Sequence, residues 1–504
     1  MQITDLHIRR IFQALTGILA VAMIGILINF FDQEKPFAST LGSAPVEGQK
    51  STSTEEGFKR PPTPKEQAKK QGRPVFSQTL PDTTQDLIET AEVFFEKGLF
   101  KKSLELYQSA AELSPKNAFI YERIGDILFI QKQFPLAEKS YEVADLLSPE
   151  DSSSKMKLVK SLLAQRKVVD ANRLLENSKP ETAESVLYQG IIAAFLNQPE
   201  KSKTVLNRVV NEFTDTSAQA QAKTVLAAYQ EFELNTNGKI VHLQALLAKA
   251  FNELEEYELA IALGLEAIKI QDDYRDIWII LGHSYLRQGR FVDAKAALTK
   301  ALKLDEQKAL AHALLGFADE GLGIRQAAIK DFESALARGY TPALLLEEKL
   351  AENYYFLGEK EKALRLYEKV IFSSTEPVDA HFYVRPIFIY IDYLHDGASA
   401  LRLAQKAFTA HPDDAMSSNL VGWAFYGNGD ETSAEKYLLQ ALKKDPKLPA
   451  AHFNLARLYE NQQKIDQAKT FYQYAFEFAE EVGDTSIGPL AAQKYNELLA
   501  KETE

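Results

Sequence analysis

Histidine and carboxylate side chains are the residues of this 504-residue chain that could support acid–base or metal chemistry. The eight histidines do not pair at the spacing of metal ligands, and no His-Glu-x-x-His motif occurs. His312 and His452 occupy equivalent places in a repeated pattern, where other copies carry an aromatic residue, so we predict that both pack. Carboxylate pairs such as Glu255-Glu256 fall on polar helix faces, where a solvated charged surface is the expected role.

The sequence motifs of nucleophilic and phosphate chemistry are also missing. Neither a Gly-x-x-x-x-Gly-Lys loop nor a Gly-x-Ser-x-Gly motif occurs in the sequence. Cysteine is absent, which excludes disulfides, thiolate zinc sites, iron–sulfur clusters and a cysteine nucleophile. We therefore predict that the protein is not an enzyme and that it holds no cofactor and no metal.

The charge distribution argues against one large class of partners. The chain has a net charge of −12; residues 1–82 sum to +2, so residues 83–504 carry −14. A folded region this acidic repels phosphate backbones. We therefore predict no nucleic-acid partner.

The N-terminal region contains an apolar segment of membrane-spanning length. Residues 11–31 hold no charged side chain and would rise about 31 Å as a helix, enough to cross a bilayer. Arg9 and Arg10 precede this stretch and Asp32 follows it, so the positive-inside rule puts residues 1–10 in the cytoplasm. The prediction is a single-pass protein of a bacterial inner membrane, with everything after the span on the periplasmic side.

A cleaved signal peptide is the alternative interpretation of the same segment. Signal peptides have apolar regions of about 7–15 residues that end at a small-residue cleavage site. This segment is longer, and it ends in Asn29-Phe30-Phe31, which favours an uncleaved anchor. Residues 32–82 follow, rich in proline, serine, threonine, lysine and glutamate, and we predict a disordered linker there.

From residue 84 onward the chain repeats a pattern of small and large residues with a period of 34. The pattern is clearest in three copies, formed by Gly125, Leu128, Ala137, Tyr141, Ala144 and Pro149, by Gly282, Tyr285, Ala294, Leu298 and Ala301, and by Gly422, Phe425, Ala434, Leu438, Ala441 and Pro446. Small side chains let two helix backbones approach, and large residues one turn away fill the space between them. Each copy therefore predicts a pair of packed helices.

This helix–turn–helix unit resembles the tetratricopeptide repeat, and the resemblance covers about 400 residues. It implies an all-α fold: a right-handed superhelix, or solenoid, of about eleven helix pairs behind one N-terminal transmembrane helix. It also implies that each helix pair contacts only its neighbours.

The repeat spacing divides the chain into segments. We predict an N-terminal repeat block at 83–216, an added helix and turn at 217–240, and a C-terminal repeat block at 241–482. Residues 483–504 are expected to form a capping helix and tail, which an open-ended array needs.

The resemblance also suggests a binding surface, because first-helix residues of tetratricopeptide repeats line a concave groove. Carried onto the last units of this sequence, the groove positions are Glu348, Glu352, Tyr355, Phe382, Arg385, Ile389, Asp392, Met416, Asn419, Trp423, Tyr426, Phe453, Arg457 and Glu460. The predicted partner-binding residues among them are Phe382, Arg385, Asp392, Trp423, Tyr426, Phe453 and Arg457. Aromatic residues and arginine dominate interface hot spots, although packing in the core is the competing role at each position.

Together these features predict a membrane-anchored scaffold that binds peptide segments or proteins in its groove, within a bacterial envelope assembly. Its expected partners are a protein or peptide and the membrane, through Ile11–Phe31, with a homo-oligomer as a further possibility. Two alternatives belong to other classes of protein. One is a coat in which the solenoids pack on each other, and the other is an enzyme with a site inside the array.

Overall fold

The computed structural model describes residues 83–176, 181–234, 239–375 and 377–501. Within these ranges there are 24 α-helices and no strand, which confirms the all-α fold class. The described residues form two compact units that divide between Thr341 and Pro342.

The first unit consists of helices that follow one another in antiparallel pairs. Its helices are α1 (Thr84–Glu96), α2 (Phe100–Leu113), α3 (Ala118–Ile130), α4 (Phe134–Leu147), α5 (Ser152–Ala164), α6 (Val168–Glu176), α7 (Ala183–Phe195), α8 (Pro199–Glu212), α9 (Thr216–Leu234), α10 (Ile240–Glu253), α11 (Tyr257–Ile270), α12 (Arg275–Arg287), α13 (Phe291–Leu304), α14 (Ala309–Gly321) and α15 (Arg325–Ala337).

The second unit continues the pattern but contains one irregular segment. Its helices are α16 (Ala343–Phe356), α17 (Lys360–Ser373), α18 (Val384–Phe388), α19 (Gly397–Ala410), α20 (Ala415–Gly427), α21 (Glu431–Lys444), α22 (Pro449–Asn461), α23 (Ile465–Val482) and α24 (Ile487–Lys501). A 3₁₀ turn at Ala380–Tyr383 precedes α18, and a π-helical turn at Ile389–Tyr393 follows it.

Close approach of the two helices in a pair rests on the small residues of the repeated pattern. A Cβ atom placed on Gly422 would lie 2.7 Å from Cγ of Leu438, well inside van der Waals contact. Gly282 faces Leu298 in the same way across α12 and α13. The large residue of each copy therefore fills the space that the glycine leaves open, as the sequence pattern predicts.

The first unit departs from the expectation that each helix pair contacts only its neighbours. Helix α5 contacts α11, and Arg166 forms an ion pair with Glu258 at 2.7 Å, 92 residues further along the chain. The Lys132 ammonium donates a hydrogen bond to the carbonyl oxygen of Arg287 at 3.4 Å. Helix α9 is an added helix that packs between α8 and α10. After it, α11 packs against the earlier helix α5. We call the region where α5, α7 and the turn at residues 165–167 meet α10 and α11 the fold-back junction.

The helices of the structure do not support the predicted membrane localisation. No helix in the described part of the chain is long and apolar enough to cross a membrane. The longest, α9, has 19 residues and carries Lys223, Glu231 and Glu233. The segments predicted at 1–10, 11–31 and 32–82 lie outside the described residues. The single-pass localisation, with the repeats on the periplasmic side, is therefore withdrawn.

Candidate functional site

The predicted partner-binding residues lie on the first helices of three successive helix pairs in the second unit. The irregular segment from Ala380 to Tyr393 carries three of them, α20 carries two and α22 carries two. Helix α16, in the preceding pair, adds Glu352 and Tyr355. The repeat period places all of these helices side by side, so side chains about 34 residues apart can touch.

Arg385 lies in a partly buried ion pair. Its guanidinium contacts a carboxylate oxygen of Glu352 at 2.5 Å, and the two side chains are 13 % and 20 % exposed. The guanidinium carbon also lies over the rings of Tyr355, at 5.7 Å, and Phe356, at 5.1 Å. A second cation, the ammonium of Lys349, contacts Glu352 at 2.8 Å. Arg385 is thus held between a carboxylate and two aromatic rings.

These cations control the ionisation of Glu352. Burial acts to raise the pKa of Glu352, but the charges of Lys349 and Arg385 outweigh burial and hold this pKa below its ordinary value of 4.5. The carboxylate is therefore ionised at neutral pH, and both members of the pair are charged.

A second ion pair crosses an intervening helix. The Arg457 guanidinium on α22 donates a hydrogen bond to Asp392 Oδ1 at 2.8 Å, although the two residues are 65 positions apart. Its guanidinium carbon lies 5.4 Å from the ring centre of Tyr426, which belongs to the helix between them. Arg457, Tyr426 and Asp392 therefore join three successive first helices.

Trp423 is mainly a packing residue, but its one polar side-chain atom lacks a hydrogen-bond partner among the described residues. It is 7 % exposed, and its ring lies 6.4 Å from that of Phe388. The indole Nε1 is buried and has no acceptor among the described residues. Asp392 Oδ2 is likewise buried and without a donor in the described part of the chain. Trp423 thus offers an unused donor and Asp392 an unused acceptor.

Phe382 and Phe453 have mainly structural contacts. The ring of Phe382 meets that of Tyr367 edge to face at 5.3 Å, and Phe453 meets Tyr472 in the same way at 5.5 Å. Both are half-buried against second helices. The structure therefore places these two predicted residues at the border between helix packing and surface.

Phe388 is a surface residue that the repeat spacing missed. The spacing selects Ile389, which is fully buried, whereas Phe388 is half-buried and lies 6.3 Å from Tyr355, ring to ring. The Leu394 N–H bonds the Ile389 carbonyl, five residues back, so the helix is wider here and its side chains are rotated. Pro386, which cannot donate a backbone hydrogen bond, is the sequence signal that could have indicated this irregularity.

The candidate site is therefore a mixed aromatic and ionic surface, here called the first-helix surface. It consists of Glu352, Tyr355, Arg385, Phe388, Asp392, Trp423, Tyr426 and Arg457. Its two arginines are already paired, so it can offer aromatic contact and hydrogen bonding rather than a strong positive charge. No cluster of three or more potential metal ligands occurs in the ranges that the structure describes.

His452 illustrates how the histidines are used. It is 5 % exposed, its Nε2 bonds the carbonyl of Pro446 at 2.8 Å, and its ring packs 5.7 Å from that of Phe471. His312 bonds Asp331 at 3.1 Å. Both are packing residues in this structure.

Replacing His452 with phenylalanine should weaken the acid sensitivity of folding. Burial lowers the pKa of His452 below its ordinary value of 6.5, despite the opposing Pro446 carbonyl. The unfolded chain then holds the proton more tightly, so this histidine costs no stability above about pH 6.5 and destabilises the fold increasingly below it. Urea midpoints measured from about pH 7 to pH 5 should fall less in His452→Phe than in the wild type. The control His381→Gln, at an exposed position, should show the same fall in urea midpoint with decreasing pH as the wild type. An equal fall in all three proteins would contradict the prediction.

Sequence comparisons identify the repeated unit. Models of the tetratricopeptide repeat match residues 275–308, 392–449 and 425–475. The chain contains tetratricopeptide repeats. The matches at 392–475 include Asp392, Trp423, Tyr426 and Arg457 of the candidate surface, so part of that surface lies on these repeats. Proteins with this repeat bind other proteins.

Individual relatives of this tetratricopeptide repeat protein match over limited regions or at low identity. It is 32 % identical over 113 residues to the type IV pilus assembly protein PilF of Pseudomonas aeruginosa, which covers 22 % of this chain and 43 % of PilF. A solved structure of P. aeruginosa PilF is 19 % identical, covering 46 % of this chain and 98 % of that one, with a TM-score of 0.33. The yeast Tom70 structure is 16 % identical, covering 83 % of this chain and 96 % of that one, with a TM-score of 0.31.

Proposed function

We propose that this tetratricopeptide repeat protein is an interaction scaffold whose first-helix surface binds an extended segment of a partner protein. The observation that carries the proposal is the continuity of that surface. Arg457 on α22 reaches Asp392 in the irregular segment at 2.8 Å while covering Tyr426 on α20. One bound segment could thus contact three repeats at once.

The internal pairing of the charges indicates what kind of segment would bind. Arg385 is compensated by Glu352, and Arg457 is compensated by Asp392. A ligand carboxylate would have to compete with these partners, so capture of an acidic terminus is disfavoured. Aromatic and aliphatic side chains, packed against Tyr355, Phe388 and Tyr426, gain more from this surface.

The two unused polar atoms fit the backbone of such a segment. A peptide group carries one N–H donor and one carbonyl acceptor. The N–H complements Asp392 Oδ2, and the carbonyl complements the indole N–H of Trp423. Both protein atoms are buried in this structure, so the side chains that cover them would have to move as the segment enters.

A role in assembling larger protein complexes follows from this mode of binding. The matched P. aeruginosa relative is an assembly protein of the type IV pilus, and the match covers less than half of its length. We propose for this chain only the general role of holding partners within an assembly. The envelope setting predicted from the sequence depended on the membrane localisation that the helices do not support.

The proposal is tested by comparing two aromatic substitutions in the full chain. Tyr426→Ala removes a ring from the first-helix surface, whereas Phe372→Ala removes a 54 % exposed ring from a second helix, α17. Partners captured by the wild type would be identified and purified, and their affinities measured for the three proteins. We expect Tyr426→Ala to weaken binding about tenfold or more, and Phe372→Ala to leave it unchanged. Equal affinities for the wild type and Tyr426→Ala, or a larger loss with Phe372→Ala, would contradict the proposal.

A further inference from the structure

The fold-back junction of the first unit contains a cavity that repeat packing alone does not account for. Its volume is about 650 Å³, within the roughly 300–1,000 Å³ range of pockets that hold small ligands. The end of α7 and the turns that carry Arg166 and Asn197 form one side. Helices α10 and α11 form the other side. Ligand pockets are frequent where two packed groups of helices meet.

The wall of the cavity is mostly apolar. Phe195, Leu243, Leu247, Leu263 and Ile268 contribute to it, and the three leucines are each less than 9 % exposed. This lining favours an apolar group over water, because ordered water needs two or more polar partners. The lining therefore suits a ligand with an apolar body.

The charged groups at the edge of the cavity are already paired. Arg166 contacts Glu258 at 2.7 Å, and Lys269 contacts Glu266 at 2.6 Å. A ligand with a net charge would gain little from them, since each cation has its own carboxylate. The expected ligand is therefore uncharged.

One polar atom of the wall has no hydrogen-bond partner. Gln244 lies on α10 in the lining, and its Oε1 is buried without a donor among the described residues. Leaving such an acceptor unpaired is unfavourable, so a ligand that supplies an N–H or O–H gains affinity. This oxygen is buried in the structure, so the terminal amide would have to turn about its last torsion, whose energy profile is broad, for the oxygen to meet a ligand in the cavity.

From this lining we propose that the fold-back junction is a binding site for an uncharged, mainly apolar group with a single hydrogen-bond donor. The indole of tryptophan and the phenol of tyrosine have this chemistry, whether free or as a side chain of a protein partner. The site is in the first unit and does not depend on the function proposed for the first-helix surface of the second.

The need for a hydrogen-bond donor on the ligand is tested with two compounds of nearly the same shape. Indole carries an N–H, and benzothiophene has a sulfur in its place. Their binding to the full chain would be measured by ligand-observed NMR titration. We expect saturable binding of both, with indole about tenfold tighter. Absence of saturable indole binding, or equal affinities of the two compounds, would overturn the proposal.

Two variants locate the site. Gln244→Leu keeps the size of the side chain but removes the acceptor, so it should equalise the two affinities. Ala262→Phe fills the cavity from a half-buried position in its wall and should abolish binding of both compounds. Helical content and melting temperature would be checked for each variant. Wild-type selectivity in Gln244→Leu would place the binding elsewhere and overturn the assignment, even if Ala262→Phe failed to fold.

A further ligand distinguishes a free small molecule from a side chain of a protein partner as the source of the bound group. N-acetyl-tryptophanamide carries the same indole on a peptide backbone. If it binds as tightly as indole and competes with it, the cavity accepts a side chain of a protein partner. If indole binds and the amide does not, the cavity accepts only the free small molecule. Both results support the site and differ only in the source of its ligand.

Discussion

Replacing Arg385 with methionine is expected to destabilise the protein by about 3 kcal/mol in urea unfolding at pH 7. The substitution leaves the carboxylate of Glu352, 20 % exposed, without the guanidinium that contacts it at 2.5 Å. Removing one member of a buried ion pair typically costs 3–5 kcal/mol, and the remaining contact of Lys349 at 2.8 Å places this case at the lower end.

The control for this prediction is the double variant Arg385→Met/Glu352→Met. It removes both charges of the pair and should recover much of the loss, because no carboxylate is left without its guanidinium; Lys349, which loses Glu352, is 22 % exposed and can be solvated. A double variant less stable than Arg385→Met would show that the pair is not the source of the effect. The pH dependence gives a second check. The pKa of Glu352 is held below 4.5, so its stabilisation is complete above about pH 4.5 and is lost as the pH falls through the folded-state pKa.

Replacing Trp423 with alanine is expected to destabilise the protein by about 3–5 kcal/mol, the second large effect. The side chain is 7 % exposed and packs beside Phe388, so truncation leaves a cavity that the surrounding helices cannot fill completely. Urea unfolding should show this loss. Trp423→Phe should cost much less, because it keeps most of the volume and also removes the buried N–H that lacks an acceptor.

This result decides how binding data on Trp423 can be used. If Trp423→Ala unfolds more easily by the expected amount, a loss of partner binding in that variant reports on folding and not on contact. A change in stability below about 1 kcal/mol would contradict the packing role and make Trp423 a surface anchor after all. Tyr426, which is only half-buried, is therefore the better position for binding tests.

The helix pairs could be predicted from the sequence because their signal is local. Gly422 and Leu438 are 16 residues apart, and their contact requires only two helices joined by a short turn. The same relation recurs between Gly282 and Leu298. The fold-back junction could not be predicted in this way. The ion pair between Arg166 and Glu258 depends on the direction that the chain takes after α9, and no local pattern encodes that direction.

The candidate site was predictable in outline and not in detail. The spacing of the repeats brings Arg385, Asp392, Tyr426 and Arg457 to adjacent first helices, as the structure shows. It does not reveal that the arginines are paired with carboxylates of other repeats, since helical position alone does not fix side-chain partners. It also selects the buried Ile389, at the start of the π-helical turn, instead of the adjacent Phe388, which is on the surface. The segment boundaries drawn from the sequence, the absence of enzyme activity and the possible homo-oligomer stay predictions.

Photo-crosslinking tests the central claim most directly. A benzophenone amino acid would replace Tyr426 on the first-helix surface in one full-length protein and Phe372 on α17 in another. Each protein would be irradiated with the purified partner, and the linked peptides mapped by mass spectrometry. The predicted result is a crosslink from position 426 to one continuous segment of the partner, with none from position 372. A crosslink from position 372 alone would contradict the assignment of the first-helix surface as the binding site.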